Sequence, residues 1–362
     1  MTAGAVRHGY LDWVRGLAVL IMIEAHVLDS WTRPADRSRP AFGYAMVLGG
    51  MGAPLFLFLA GVSVALSAES KLRKTRDAAA AWNAVQKRGW QVFGLAFLFR
   101  LQSFILSGGQ NAVGLLKVDI LNVMGPAITA TAFVGRLLQF NRRPASRARH
   151  IAIFALAAVT IAMLTPIVRL TPWLSWLPDP VEWYFRPSPG RTNFTLFPWA
   201  GFVFAGAAAG EVIVGSRRED RHLAPQVGLA MAAILVAVLA YAASFLPSIY
   251  ARSDFWTSSP TYFFIRVGIL TLLLPLAFLW HRAPWRGKLS RWSPVEVLGR
   301  ASLFVYWIHV EMVYGVFSRP VRRSLSLEAV SASVILFTLF LLGLVLLKDR
   351  VSPYLTDNKP VI

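Results

Sequence analysis

The stretch YLDWVRGLAVLIMIEAH (Tyr10–His26) has the length and apolar content of a membrane-spanning helix, yet it carries four ionisable residues. Apolar runs of similar length recur along the chain of 362 residues, of which 56% are hydrophobic. About 20 apolar residues in a row cross a hydrocarbon core as a helix. The runs are too long for barrel strands and lack their alternation, so helices are the expected spanning structure. The sequence therefore predicts an all-α fold, a polytopic transmembrane helix bundle.

About ten of these runs are long enough to cross a membrane, which predicts about ten transmembrane helices. They cover residues 10–28, 43–68, 88–107, 119–138, 150–169, 193–214, 225–246, 261–281, 297–318 and 327–347. No polar stretch between them has room for a soluble domain, so residues 1–362 are predicted to form a single integral-membrane domain. Val47–Ala68 and Pro198–Gly210 are rich in small residues, which predicts interior helices because small residues allow close helix packing.

The formal net charge of +19 comes mostly from Lys and Arg in short loops between the apolar runs. These residues form no continuous stripe of the kind that binds nucleic acid, so no nucleic-acid partner is predicted. Loops such as ESKLRKTRD (69–77) hold more Lys and Arg than the loops on the opposite side, which predicts that both termini are cytoplasmic. The chain has no Cys, which excludes disulfides and thiol nucleophiles.

The first run places its ionisable residues in a specific geometry. At 100° per residue Asp12, Arg15 and His26 share one face of a helix, whereas Glu24 points about 120° away from Asp12. Asp12 and Arg15 are three residues apart and can form an ion pair. Arg15 and His26 are about 16 Å apart along the axis, near opposite leaflets. Ionisable residues inside a membrane indicate function, and a histidine can move protons near neutral pH.

Polar residues recur on other runs, which predicts a shared interior cavity because each would be costly against lipid. The candidates are Arg88 and Arg100 on the third run, Lys117, Asp119 and Asn122 at the start of the fourth, Arg191, Asn193 and Trp199 at an outer helix start, and His309 and Glu311 on the ninth. No P-loop, G-x-S-x-G or H-E-x-x-H motif and no metal-ligand spacing is present. ATP-driven transport, serine hydrolysis and zincin chemistry are therefore disfavoured, and no metal is expected.

The first run also carries a family resemblance. LDWVRGLAVLIMIEAH (Leu11–His26) resembles the opening signature of the transmembrane acyltransferase superfamily, an L-D-x-x-R-G start with a His or Asn one helix length later. APLFLFLAGVSVAL (Ala53–Leu66) and FPWAGFVFAG (Phe197–Gly206) resemble the heparan-α-glucosaminide N-acetyltransferase catalytic-domain type more than the related acyltransferase family 3 type. With KVDILNVMG (Lys117–Gly125) between them, the resemblance covers most of the chain in the family's order.

The resemblance implies an acyltransferase that takes an acetyl or other acyl group from cytoplasmic acyl-CoA and passes it to a hydroxyl or amine acceptor, such as a sugar or glycan, at the far face. The catalytic candidates are then His26 as general base, Asp119, and Asn122. Asp119 or Glu24 would orient His26, and Asn122 or Asn193 would stabilise the oxyanion.

The remaining candidates divide between the donor and the acceptor. Acyl-CoA binding is assigned to Asp12, Arg15, Arg88 and Lys117, since guanidinium groups suit phosphate. Acceptor binding is assigned to Glu24, Arg100, Arg191, Asn193, Trp199, His309 and Glu311. The predicted partners are the lipid bilayer, acyl-CoA and a glycan or small-molecule acceptor, with a homodimer as a further option.

Two departures from the animal members favour a bacterial member and a bacterial inner-membrane location. As the resemblance would have it, those members carry Asn where this chain has His26 and G-V-L-Q where it has DILN (Asp119–Asn122). Two other classes stay open. A proton-coupled small-molecule transporter would use Asp12, His26, Arg100 and Glu311 as a relay, and a non-catalytic membrane scaffold would leave the intramembrane charges unexplained.

Overall fold

A computed structural model describes residues 9–109, 112–139, 146–216, 223–283 and 292–356. Within these residues the protein is helical and has no strand, which confirms the all-α prediction. Two isolated parallel bridges join Thr32 to Leu325 and Val118 to Thr192.

The helices overlap every apolar run that the sequence indicates. They are α1 (Gly9–Trp31), α2 (Pro40–Gly49), α3 (Gly52–Thr75), α4 (Ala78–Leu106), α5 (Ile120–Leu137), α6 (Arg147–Leu170), α7 (Asp179–Glu182), α8 (Leu196–Ser216), α9 (Leu223–Ala243), α10 (Pro260–Arg282), α11 (Pro294–Arg300), α12 (Ser302–Tyr314) and α13 (Leu327–Thr356).

Eight helical segments of the described chain are long and apolar enough to cross a membrane. The first and ninth runs are not among them, for different reasons. α1 carries too many ionisable residues to count as apolar enough, and the ninth run is too short because it is divided at Ala301 into α11 and α12. Arg7 and most of the basic loops after α5, α8 and α10 lie outside the described residues, so the cytoplasmic location of both termini stays a prediction.

The chain folds into two compact units. The central unit is Pro54–Phe278, and the terminal unit combines Arg7–Ala53 with Leu279–Ile362. The single-domain prediction stays a prediction.

In the central unit α4 packs on α5, and α8 packs on α6 and α5. Within its most apolar stretch α8 is 72% buried, against 22% for α9, which confirms that α8 is an interior helix. Its small residues explain why. A Cβ atom on Gly206 would lie 1.8 Å from the backbone oxygen of Phe58, so α3 and α8 approach too closely there for any side chain.

In the terminal unit α1 packs on α11, α12, α13 and α2. The contact between α1 and α11 depends on another close approach, because a Cβ atom on Gly299 would lie 1.9 Å from the backbone oxygen of Asp12. The face of α1 that enters the unit holds fully buried apolar residues such as Val14, Ala18 and Val19. The same helix carries the predicted ionisable residues, so packing fixes their positions.

Candidate functional site

A pair of histidines from α1 and α12 forms the first part of the candidate site. Nδ1 of His26 lies 2.9 Å from Nε2 of His309. The two rings are nearly parallel, with 7° between their planes and 5.1 Å between their centroids. His309 is fully buried, and His26 is partly exposed. The two residues are 283 positions apart, so only the packing of α1 against α12 brings them together.

The hydrogen bonds of His309 determine which nitrogen of His26 carries a hydrogen. Nδ1 of His309 lies 2.9 Å from the carbonyl oxygen of Val305. A carbonyl only accepts, so this Nδ1 is the donor, and Nε2 of a neutral His309 is left as an acceptor. Nδ1 of His26 must therefore donate to it. Nε2 of a neutral His26 then carries no hydrogen and is able to accept a proton.

Three further residues, not among the predicted site residues, adjoin this pair. The ring of Tyr314 meets His26 edge-on, with centroids 5.3 Å apart, and its hydroxyl donates to Oδ2 of Asp29 over 3.2 Å. Nη2 of Arg37 lies 3.5 Å from Oδ1 of Asp29 and also donates to the backbone carbonyl of Asp29. Asp29 follows His26 by three residues, so helical spacing could have indicated it. Nothing in the sequence connects Arg37 or Tyr314 to His26.

The predicted ion pair near the start of α1 is confirmed. Nη1 of Arg15 lies 3.0 Å from Oδ1 of Asp12. Asp12 is buried, with 4% of its surface exposed, whereas the Arg15 side chain is 31% exposed. Because α1 is continuous from Gly9 to Trp31, this pair and His26 mark two places about 16 Å apart along one helix.

The other two predicted residues of the terminal unit differ from each other. Glu311 is buried, with 7% exposed. Glu24 is partly exposed and forms no hydrogen bond or ion pair with any described residue. The side chain that forms a hydrogen bond with His26 is His309, so the option that Glu24 orients His26 has no support in the geometry.

In the central unit Asp119 is the N-cap residue of α5, and two side chains hold its carboxylate. Arg100 of α4 forms an ion pair with Oδ2, and Nδ2 of Asn193 donates to Oδ1 over 2.7 Å. Asn122 completes a capping box, since its Oδ1 accepts the backbone N–H of Asp119 over 3.0 Å. Four of the predicted site residues are therefore neighbours at the start of α5.

The backbone places Asn193 beside Asp119 through a short parallel bridge. The N–H of Val118 donates to the carbonyl of Arg191 over 2.9 Å, and the N–H of Asn193 donates to the carbonyl of Val118 over 3.0 Å. The segment before α8 is thus bound to the segment before α5. Neither hydrogen bond depends on side chains, so sequence patterns could not have indicated this pairing.

Lys117 belongs to the same neighbourhood. Burial, with a smaller contribution from the positive charge of Arg100, lowers the pKa of Lys117 below its usual range. Nδ2 of Asn122 donates to the hydroxyl of Tyr184 over 3.4 Å, and burial raises the pKa of Tyr184. The sequence analysis assigns Lys117 to acyl-CoA and Arg100 to the acyl acceptor, but the two residues are neighbours.

The remaining predicted residues of the central unit lie apart from Asp119 or make other contacts. The guanidinium of Arg191 lies 5.7 Å from the ring centroid of Trp183. Trp199 contacts Phe194 edge-on at 4.7 Å and lies 5.8 Å from the guanidinium of Arg266.

Arg88 is exposed and contacts Gln91 over 3.3 Å. It is about 18 Å from Arg100 along α4, so Arg88 and Lys117 do not form one donor-binding cluster. Among the described residues no group of His, Asp and Glu side chains is arranged to hold a metal ion.

Comparison with known proteins adds a family. The sequence model described as Heparan-alpha-glucosaminide N-acetyltransferase, catalytic, matches residues 7–242 of the 362. A comparison with curated proteins found no match. The matched range contains α1 with His26 and the residues at the start of α5, but it ends before α12, which carries His309.

Proposed function

Because the chain belongs to the heparan-α-glucosaminide N-acetyltransferase catalytic family, and is therefore a multi-pass membrane acetyltransferase, we propose that it moves an acetyl or other acyl group from cytoplasmic acyl-CoA to a hydroxyl or amine at the far face. The family in general uses acetyl-CoA. The acceptor proposed is a sugar or glycan, and the membrane is the bacterial inner membrane. The observation that carries the mechanism is the contact between His26 and His309, which leaves Nε2 of His26 free to take a proton.

In this reaction Nε2 of His26 takes the proton from the acceptor hydroxyl or amine while the acceptor atom attacks the thioester carbonyl. A new C–O or C–N bond forms and the C–S bond breaks. The leaving CoA thiolate then receives the proton from His26. Nε2 of His309 accepts a hydrogen bond from Nδ1 of His26 throughout, so it keeps the His26 ring in the tautomer that the first step needs.

The charge that His26 gains in this step needs a compensating group nearby. Asp29 lies about one helical turn further along α1, and its carboxylate favours the imidazolium form. Tyr314 contacts the His26 ring and also binds Asp29, so it fixes one relative to the other. No carboxylate binds His26 directly among the described residues, which distinguishes this pair from a Ser-His-Asp triad.

For the donor, we assign the phosphates of acyl-CoA to the guanidinium group of Arg15, with Asp12 holding Arg15 in place. The orientation of Arg15 by a buried carboxylate supports this role, because a pre-positioned guanidinium loses less entropy on binding.

The acceptor is assigned to the residues around the start of α5 and α8, namely Arg100, Arg191, Asn193 and Trp199, and Lys117 joins them because it lies beside Arg100. Asp119 and Asn122 receive a positioning role rather than a proton-transfer role. Both oxygens of the Asp119 carboxylate already have partners, and Asn122 completes the helix cap.

The proposal is tested with the detergent-purified full chain. Acetyl-CoA should raise its unfolding temperature, and thiol release should accelerate when a glucosamine-type acceptor is added. Arg15→Gln should weaken acetyl-CoA binding by about tenfold, since it removes one charged contact. Arg33→Gln, at a half-exposed arginine of the same unit that pairs with Asp36, is the matched control.

Absence of any stabilisation by acetyl-CoA, together with pH-gradient-driven flux in vesicles, would instead favour the transporter. Equal weakening by Arg15→Gln and Arg33→Gln would remove Arg15 from donor binding.

A further inference from the structure

A cavity of ≈ 320 Å³ lies within the central unit, apart from every residue assigned above. Its lining comes from the end of α3, the start of α4, the start of α6 and the end of α8, together with Gln139 just after α5. These positions share one end of the unit, which the topology prediction places in the cytoplasm. The volume is typical of small-molecule sites and much larger than the space of a single water.

Part of the lining of the cavity is charged. Glu69 binds Nε of Arg73 through Oε1 over 2.7 Å, and Arg147 places Nη2 at 3.4 Å from Oε2 of Glu69 and Nη1 at 3.4 Å from Oε2 of Glu211. Charge-assisted hydrogen bonds are usually about 2.7–2.9 Å long, so Arg147 is shared loosely between the two carboxylates. Glu211 is 7% exposed and has no other partner among the described residues.

Other residues of the lining offer flat and apolar surface. Trp82 and His150 have nearly parallel rings, at 13° with centroids 6.1 Å apart. Nδ1 of His150 lies 3.3 Å from the carbonyl of Ser146 and must donate to it, so Nε2 of a neutral His150 accepts from the Gln139 amide over 3.0 Å. His150 therefore needs no proton from a ligand, and alanines and Leu72 complete the lining.

Two acceptor oxygens of the lining are unused within the described chain. Oε1 of Glu211 has no partner among the described residues, and neither does Oε1 of Gln139. The two terminal nitrogens of Arg147 already face carboxylates. A ligand that completes these bonds must donate hydrogens, and a positive charge on the donor would strengthen its bond to the Glu211 carboxylate. An apolar body would pack against Trp82.

We propose that this cavity binds a small organic cation, a primary amine with a flat or short apolar body. Its ammonium group would bind Glu211 and Gln139, and its body would lie against Trp82. The inference does not depend on the acyl-transfer chemistry of His26, because every group it uses belongs to the central unit.

The test is isothermal titration of the detergent-purified full chain with 2-phenylethylamine, and in parallel with uncharged 2-phenylethanol. The amine should bind saturably and the alcohol should not. Glu211→Gln, which keeps the shape and removes the charge, should weaken amine binding by about tenfold or more. Glu328→Gln makes the same change at an exposed carboxylate of the terminal unit, paired with Arg39, and should leave the affinity unchanged.

A second variant guards against misfolding of Glu211→Gln. Leu72 is on the exposed rim, so Leu72→Trp should obstruct the cavity without disturbing the buried charges, and it should also abolish binding. His26→Ala should bind the amine like the unaltered chain, which separates this inference from the proposed reaction. Absence of saturable amine binding, equal binding of amine and alcohol, or an unchanged affinity in Glu211→Gln would overturn the proposal.

Discussion

The histidine pair of the terminal unit and the Asp119 cluster of the central unit are both made of polar groups far apart in sequence, but they use their hydrogen bonds differently. Asp119 accepts from Arg100 and Asn193, so each carboxylate oxygen has a partner. His26 uses Nδ1 for its hydrogen bond to His309, and its Nε2 remains available. A polar group whose hydrogen-bonding positions are all occupied stabilises the structure, whereas a group with an unoccupied position is able to react.

The two regions also differ in charge. The Asp119 cluster contains a largely buried ion pair, which is costly to break because the remaining charge stays without its partner. The histidine pair as its hydrogen bonds define it is neutral, so the loss of one ring leaves no isolated charge. Substitutions in the histidine pair should therefore affect activity first, and substitutions at Asp119 should affect stability first.

The largest effect is expected for His26→Ala. Removal of the general base should lower acyl transfer by about 100- to 10,000-fold, while stabilisation by acetyl-CoA persists because Arg15, the proposed phosphate-binding residue, remains. Thiol release and unfolding temperature are measured on the same sample. His281→Ala is the control, since His281 belongs to the same unit and its side chain is 34% exposed near Glu296. Unchanged turnover in His26→Ala would remove His26 from the mechanism.

Asp119→Ala tests the other half of the comparison. Loss of the carboxylate leaves Arg100 without its ion-pair partner and removes the cap of α5, so the free energy of unfolding should fall by about 3–5 kcal/mol. Denaturant unfolding in detergent measures it, with Asp77→Ala at the exposed N-cap of α4 as the control. If Asp119→Ala kept full stability and lost turnover, Asp119 would be a catalytic residue and the comparison would fail.

His309 is expected to have a smaller effect, as a positioning residue. His309→Leu removes the acceptor for Nδ1 of His26. One hydrogen bond is worth about 1–1.5 kcal/mol, so kcat should fall about tenfold with little change in KM. His309→Gln offers a carbonyl acceptor and should recover part of the rate. Equal losses in both variants would show that only the packing of His309 matters.

The smallest effect is expected for Asp36, a carboxylate of the terminal unit that also has its hydrogen bonds satisfied. Asp36 accepts from Nε of Arg33 over 2.9 Å and from the N–H of Leu327 over 3.0 Å. These bonds, the one from Arg33 first, lower the pKa of Asp36 below its usual value. A lowered pKa means that the carboxylate stabilises the fold above the usual pKa, and that this stability is lost as the pH falls through the folded-state pKa.

Asp36→Asn should therefore lower the unfolding temperature slightly near neutral pH, and the difference from the unaltered chain should disappear in acid. Thermal unfolding between about pH 7 and pH 3 measures it, because the usual pKa of Asp is near 3.9. Asp179→Asn, at an exposed helix start, is the control. A difference that grows in acid would have the wrong sign and would refute this account of Asp36.

The sequence predicted the parts of this structure that depend on short-range patterns. Apolar run length gave the helices, three-residue spacing gave the ion pair of Asp12 and Arg15, and small residues gave the interior position of α8. The opening signature around Arg15 and His26 indicated the family that the comparison then confirmed.

The sequence could not indicate which side chains contact each other across the fold. His309 was a candidate for acceptor binding, yet it contacts His26 across 283 positions. Glu69 and Glu211, which face the cavity, were not among the predicted site residues. Asn193 reaches Asp119 only because two backbone segments form a bridge. Periodicity says which face a residue occupies on its own helix, but it does not say which helix lies opposite.

By itself, then, the sequence determined that this is a membrane helix bundle of the acetyltransferase family, because the length and composition of the apolar runs identify spanning helices. It also determined that α1 carries ionisable groups at both ends, and such groups indicate function because charge is costly in lipid. The tertiary structure decided which polar groups are saturated and which keep an open hydrogen bond. That distinction depends on distances between residues far apart in the chain, and close helix packing through positions such as Gly206 and Gly299 fixes those distances.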